Sequence, residues 1–273
     1  TNQFRPKLYN SRSYLYPSLI FIAKQINKAT KILVADSPPP YTMCEYNLNF
    51  IKEAEHKVVY VGHFTNNREI ENKSKTDLEK LVENNNFGYW MRTGNKSTND
   101  GTGQRYEEVF HQNEMKNEKR IISHARNEST IDSVLDKNGK KYSISDALEK
   151  KIDWIQIDIG FLSEQEKDTI LNLCGYAVVN GSHTVMGEIM GGKSKPIIGI
   201  PIYDEHTNNI KWAEEKNLGV LAIKTKQVTQ AISKIKENYD NFEDNLKDFS
   251  KNFVPNGAEK SAKIAAEILE EKR

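Results

Sequence analysis

The sequence predicts an α/β protein whose parallel sheet is covered by helices on both faces, and three observations lead there. Short apolar runs of strand type alternate with segments of helical apolar spacing along most of the 273 residues. One run passes through a small-residue turn straight into a helix, Val178-Val179-Asn180-Gly181-Ser182-His183-Thr184-Val185-Met186-Gly187-Glu188. A second apolar run, Pro196 to Pro201, follows closely and leads to Asp204-Glu205-His206. Two successive strand ends would therefore deliver polar groups to one crevice.

The elements follow in order. Ser13 to Asn27 has helical apolar spacing, and Lys31 to Asp36 reads as a strand stopped by Ser37-Pro38-Pro39-Pro40. Lys57 to Gly62 is a second strand, ending at His63-Phe64. Thr65 to Thr76 carries no apolar residue but Ile70, a linker composition. The expected organisation is thus a segment over 1–64, a linker over 65–76 and a main domain over 77–273. In that domain Phe87 to Arg92 is a strand entering Thr93-Gly94-Asn95, Tyr106 to Met115 a helix, and Arg120 to His124 a strand. Ile131 to Tyr142 reads as an inserted hairpin, because Asn138-Gly139 is a strong tight-turn signal. Trp154 to Asp158 is a strand and Glu164 to Leu173 a helix, before the strand-turn-helix run described above. Leu218 to Ile223 is the last strand, and helices are expected over 228–237, 241–252 and 258–272. The apolar side of that final helix would pack back on the sheet or on the N-terminal part.

Composition narrows the function. Lys plus Arg total 39 against 38 for Asp plus Glu, so the chain is not built to cover nucleic acid phosphates. Cys44 and Cys174 belong to no CxxC pair or zinc-like spacing, so neither a disulfide framework nor a metal site is expected. No apolar run approaches the roughly 20 residues needed to cross a bilayer, and the expectation is a cytoplasmic protein.

The turn at Gly181 to Thr184 carries the chemistry. Free backbone N–H groups at a helix start, with the positive end of the helix dipole behind them, favour phosphate oxygens without a lysine. The whole run, with Lys195-Pro196 to Pro201 and then Asp204-Glu205-His206 and Asn209, resembles the nucleotide-sugar site of inverting glycosyltransferases of the GT-B fold. The closest likeness is to family 28, whose C-terminal domain is shared with the enzyme that makes lipid II, and to related UDP-glycosyltransferases. Asn180 stands where that family's run often opens with His, and His206 where it has Gln.

The resemblance implies a set of roles. Glu188 would bind the ribose hydroxyls, a carboxylate being able to accept from both. Thr93, Gly94, Asn95, Gly181, Ser182, His183 and Thr184 would surround the diphosphate. Asp204, Glu205 and His206 would face the sugar, and Ile159, Gly160 and Phe161 the base. The donor would be a nucleotide-diphosphate sugar of UDP type, transferred with inversion to an acceptor hydroxyl, with neither metal nor cofactor. The acceptor class, lipid, glycan or small molecule, stays open, as does the oligomeric state; a lipid acceptor would bring the protein to the inner face of a membrane. The acceptor's base belongs to the family's N-terminal domain, of which the segment before residue 65 would be a remnant; His63 and Asp36 are the candidates it holds.

Plainer roles compete at each position. Gly181 and Gly187 could be packing glycines, His183 a helix cap, Asp204 the N-cap of the helix running to Lys216, and Trp154 and Trp212 core residues. At the level of function, a nucleotide-sugar 2-epimerase or a non-catalytic binding module would use the same cradle.

Overall fold

The computed structural model describes residues 24–48, 52–65, 74–126 and 131–271. Most of the helix expected over Ser13–Asn27 and residues 66–73 of the expected linker lie outside them. Two parallel strands, β1 (Ile32–Val34) and β2 (Val58–Tyr60), form a separate small sheet. They share a small apolar core of Ile26, Ile32, Val34, Cys44, Leu48 and Ala54.

The main sheet has eight strands: β3 (Gly88–Met91), β4 (Arg120–Ser123), β5 (Ser133–Asp136), β6 (Lys141–Tyr142), β7 (Trp154–Ile159), β8 (Tyr176–Val179), β9 (Ile197–Gly199) and β10 (Gly219–Leu221). Their order is β10-β9-β8-β3-β4-β7-β5-β6. All pairs are parallel except those made by the β5–β6 hairpin, which adds an antiparallel edge. The chain runs outward from β3 through β4 to β7, then returns to the other side of β3 to lay down β8, β9 and β10. The order therefore reverses between β3 and β8, and in sheets of this kind the carboxyl ends of the strands at such a switch are where a binding crevice is expected. Both are buried along their whole length, as continuous apolar runs in a helix-covered parallel sheet must be.

The helices are α1 (Asp77–Val82), α2 (Lys96–Phe110), α3 (Ile144–Glu149), α4 (Glu164–Leu173), α5 (His183–Met186, continuing as a π-helix over Gly187–Gly192), α6 (Asp204–Glu215), α7 (Lys226–Glu237), α8 (Tyr239–Asn252) and α9 (Gly257–Glu270). α1, which the residue pattern did not announce, starts at a capping box: Glu79 N–H donates to Thr76 Oγ1 while Thr76 N–H donates to Glu79. α2 corrects the helix expected over 106–115. It begins ten residues earlier, and Met115 sits in a separate 3-10 turn, Asn113–Asn117. The early start was hidden because its buried face is Thr98, Asn99, Thr102 and Gly103, small or polar residues that give no apolar periodicity.

Trp90, Trp154 and Trp212 are all in the main core, which decides their role against base stacking. The first turn of α9 meets the end of β2, with Gly257 N–H donating to His63 O and Lys260 Nζ to Tyr60 O. Beyond Gly257 none of its residues is fully buried: Ile264 and Ile268 are half-buried and Leu269 is exposed.

Candidate functional site

Two helix starts converge on the β3–β8 crevice. After β3, Gly94 adopts φ +91° and Asn95 caps α2, accepting from Thr98 N–H at 3.0 Å. After β8, Gly181 adopts φ +94° and releases the chain into α5. A Cβ on Gly181 would sit 2.6 Å from Ile210 Cδ1 and 2.8 Å from His206 O, so glycine is required for conformation and for space. Asn180 Nδ2 reaches Thr93 Oγ1 at 3.2 Å and Ser182 N–H donates back to Asn180 Oδ1 at 3.1 Å. Thr93, expected at the diphosphate, thus meets Asn180, 87 positions away, at the topological switch. Gly187 is a packing glycine: a Cβ there would lie 3.1 Å from His63 Nδ1 and 3.3 Å from Met43 Cε.

Ser182, not His183, is the N-cap of α5, so the capping role considered for His183 is corrected. The His183 ring is buried and its Nε2 lies 2.9 Å from Asp36 Oδ2. Tyr203, not Asp204, is the N-cap of α6; Asp204 and Glu205 occupy its first turn, favourably placed for the helix dipole. His206 is buried beside Tyr203, their rings 5.1 Å apart, and burial brings its pKa down to about 4. Asn209 Nδ2 donates to Gly181 O at 3.1 Å, fixing α6 against the turn.

Glu188 is partly exposed on the π segment of α5, where Lys167 Nζ of α4 donates to its Oε2 at 2.6 Å. Ile159 and Gly160 have backbone partners: Ile159 O accepts from His124 N–H, Gly160 O from Arg126 N–H, and Gly160 N–H donates to Asp132. Phe161 alone projects, 67% exposed, at the carboxyl edge of the sheet.

The two base candidates are enclosed. Asp36 is fully buried, its Oδ1 accepting from Ser37 N–H at 2.7 Å and its Oδ2 from Cys44 N–H at 2.9 Å. His63 Nε2 lies 3.1 Å from Oδ1, and the His63 ring is stacked between His183 and Phe253. Burial alone would push the Asp36 carboxyl up, but the hydrogen bonds and charges of His183 and His63 outweigh it and hold it far below the usual range. Burial also pushes His63 down. The pair is best described as a carboxylate receiving a hydrogen bond from a neutral imidazole. Neither residue presents a lone pair to the crevice.

One row of residues at the same sheet edge escaped the sequence reading. Arg92 Nη1 meets His124 Nδ1 at 3.0 Å, His124 Nε2 meets Asp158 Oδ1 at 2.8 Å, and Gln156 Nε2 donates to Asp158 Oδ2 at 2.8 Å. Arg126 and Lys96 both pair with Asp100. Arg92 lies over Gly103, where any Cβ would collide with its guanidinium. The signal available was position: His124 is the last residue of a predicted strand, next to the carboxyl end where ligands sit.

The architecture is that of a GT-B type fold. The sequence itself matches no protein-family profile and no curated protein. Among solved structures it is similar to TcCGT1 in complex with UDP, with a TM-score of 0.61 and 12% identity over 95% of this chain and 60% of that one. It is also similar to a UDP-glucosyltransferase from Polygonum tinctorium capable of glucosylating indoxyl (TM-score 0.57, 12% identity, 92% of this chain and 55% of that one). A UGT transferase from Siraitia grosvenorii in complex with UDP gives 0.56 at 15% identity, over 88% and 55%. The chain therefore spans somewhat over half the length of the glycosyltransferases whose fold it shares.

Proposed function

We infer that this chain is the donor-binding part of a glycosyltransferase, holding a nucleotide-diphosphate sugar, of UDP type, for transfer to an acceptor hydroxyl with inversion. The observation that carries this reading is the convergence of the α2 and α5 starts at the β3–β8 switch, with Thr93 and Asn180 in contact between them. Two helix dipoles and their first-turn amides would neutralise the leaving diphosphate, so that transfer needs no bound cation. Glu188 would take the ribose hydroxyls, Phe161 would lie on the base, and Asp204 and Glu205 would face the sugar.

The enclosed Asp36–His63 pair favours a second reading, a binding module without its own base, because a general base must come within hydrogen-bond reach of the acceptor hydroxyl. Calorimetric titration of UDP, GDP, TDP and their sugars into wild type and Glu188→Ala tests both. Selective binding of one nucleotide, weakened in the variant, supports a donor site; turnover with an acceptor panel then separates enzyme from module. Silence from every nucleotide at millimolar concentration would leave the cradle as architecture.

A further inference from the structure

The buried cluster behind α5 has a composition that the sequence spacing concealed. A carboxylate oxygen of Asp36, the Cys44 Sγ and a ring nitrogen of His183 all lie within 4.8 Å of one another, and all three residues are buried. Asp36 Oδ2 and His183 Nε2 are 2.9 Å apart, a hydrogen-bond contact whose proton a cation would replace. On the far side of the carboxylate, His63 Nε2 is 3.1 Å from Oδ1.

We propose that Asp36, Cys44 and His183 form a structural site for a divalent transition metal of the zinc class. Thiolate and imidazole donors beside a single carboxylate select such an ion over magnesium or calcium, which want oxygen alone. Charge supports the same choice. One thiolate and one carboxylate balance a divalent cation, leaving no net charge in a buried site.

The donors come from three separate places: the end of β1, the loop after it and the first turn of α5. A metal there would join the small sheet to the phosphate-facing helix. It would lie on the side of α5 to which the His183 ring turns, and the diphosphate would still be met by helix amides alone. Binding displaces the Cys44 thiol proton to solvent, one per ion, as the Sγ–metal bond forms.

Cobalt(II) is the probe, titrated into reduced, folded, metal-stripped protein. The expected result is one equivalent bound with a thiolate-to-cobalt charge-transfer band and intense d–d absorption of tetrahedral form. The band should vanish in Cys44→Ser, persist in Cys174→Ser, and be displaced by zinc. Metal analysis of protein purified without chelator should find the same stoichiometry. A folded wild type with no charge-transfer band, or a band untouched by Cys44→Ser, overturns the site. The wild-type spectrum decides even if Cys44→Ser fails to fold.

Discussion

Replacing His206 with Gln should flatten the acid side of the stability profile. The His206 ring is buried, its Nδ1 has no hydrogen-bond partner, and burial takes its pKa from 6.5 to about 4. The folded state therefore keeps the ring neutral where the unfolded chain already binds a proton. Stability is complete above pH 6.5, falls as the pH drops from there toward 4, and levels off below that because both states are then protonated. The proton-linkage integral gives about 2 kcal/mol lost by pH 5 and roughly 3 kcal/mol in all. At the first of these values the thermal midpoint falls by roughly 4–8 °C. His206→Gln removes the titration at similar side-chain volume, while every other group contributes equally to both proteins. Thermal unfolding of the two between pH 8 and pH 4.5 should therefore show wild type losing about 2 kcal/mol more than the variant as the pH falls to 5. Parallel curves would show that the His206 site admits a proton without penalty, and the burial argument would fail.

Three further perturbations probe single elements. Gly181→Ala should lower stability by about 1–3 kcal/mol, from backbone strain at a positive φ together with the Ile210 and His206 contacts, measured by chemical denaturation. Thr76→Ala should cost about 1 kcal/mol by removing the cap of α1, without changing nucleotide binding. Phe161→Ala, at an exposed position, should leave the thermal midpoint unchanged but weaken UDP by about 1–3 kcal/mol if the base stacks there, read by calorimetry.

The sheet was legible because parallel strands buried on both faces leave continuous apolar runs, and Gly88–Met91 and Tyr176–Val179 do so without interruption. Asn138-Gly139 marked the antiparallel hairpin for an equally local reason. Local chemistry also marked the turns at Gly94 and Gly181, while the pairing order that makes Thr93 and Asn180 neighbours is a property of the whole sheet. The start of α2 was lost because Thr98, Asn99 and Thr102 bury polar atoms through hydrogen bonds, which no hydrophobic period registers. Asp36 and His63 stand out in the sequence only as the candidate bases that the N-terminal segment holds. What the chain order could not convey is that His183, 147 residues from Asp36, closes over the same carboxylate and Cys44 lies beside it.

That closure makes Asp36→Asn the sharpest probe of how the small sheet is held to the cradle. The carboxylate accepts from two backbone donors on different oxygens, Ser37 N–H on Oδ1 and Cys44 N–H on Oδ2, and has one imidazole beside each oxygen. An imidazole can change tautomer to meet an amide, but a backbone N–H cannot. With its NH2 toward Cys44 the Asn amide leaves that buried N–H unsatisfied at about 1–3 kcal/mol, while the opposite turn leaves Ser37 N–H only the longer bond to His63 Nε2 at 3.3 Å. Loss of the charge-assisted bonds from His63 and His183 adds to this, for a total of about 3–5 kcal/mol. Denaturant unfolding of Asp36→Asn against wild type measures it. Since His183 stands in the first turn of α5, the same variant should also weaken nucleotide binding through the position of the cradle, with the crevice residues themselves intact. A stability change below about 1 kcal/mol would mean that water or a local shift satisfies the freed N–H, and the small sheet would then be held by its other contacts, the Asn47 clasp on Asn208 and Asn209 foremost.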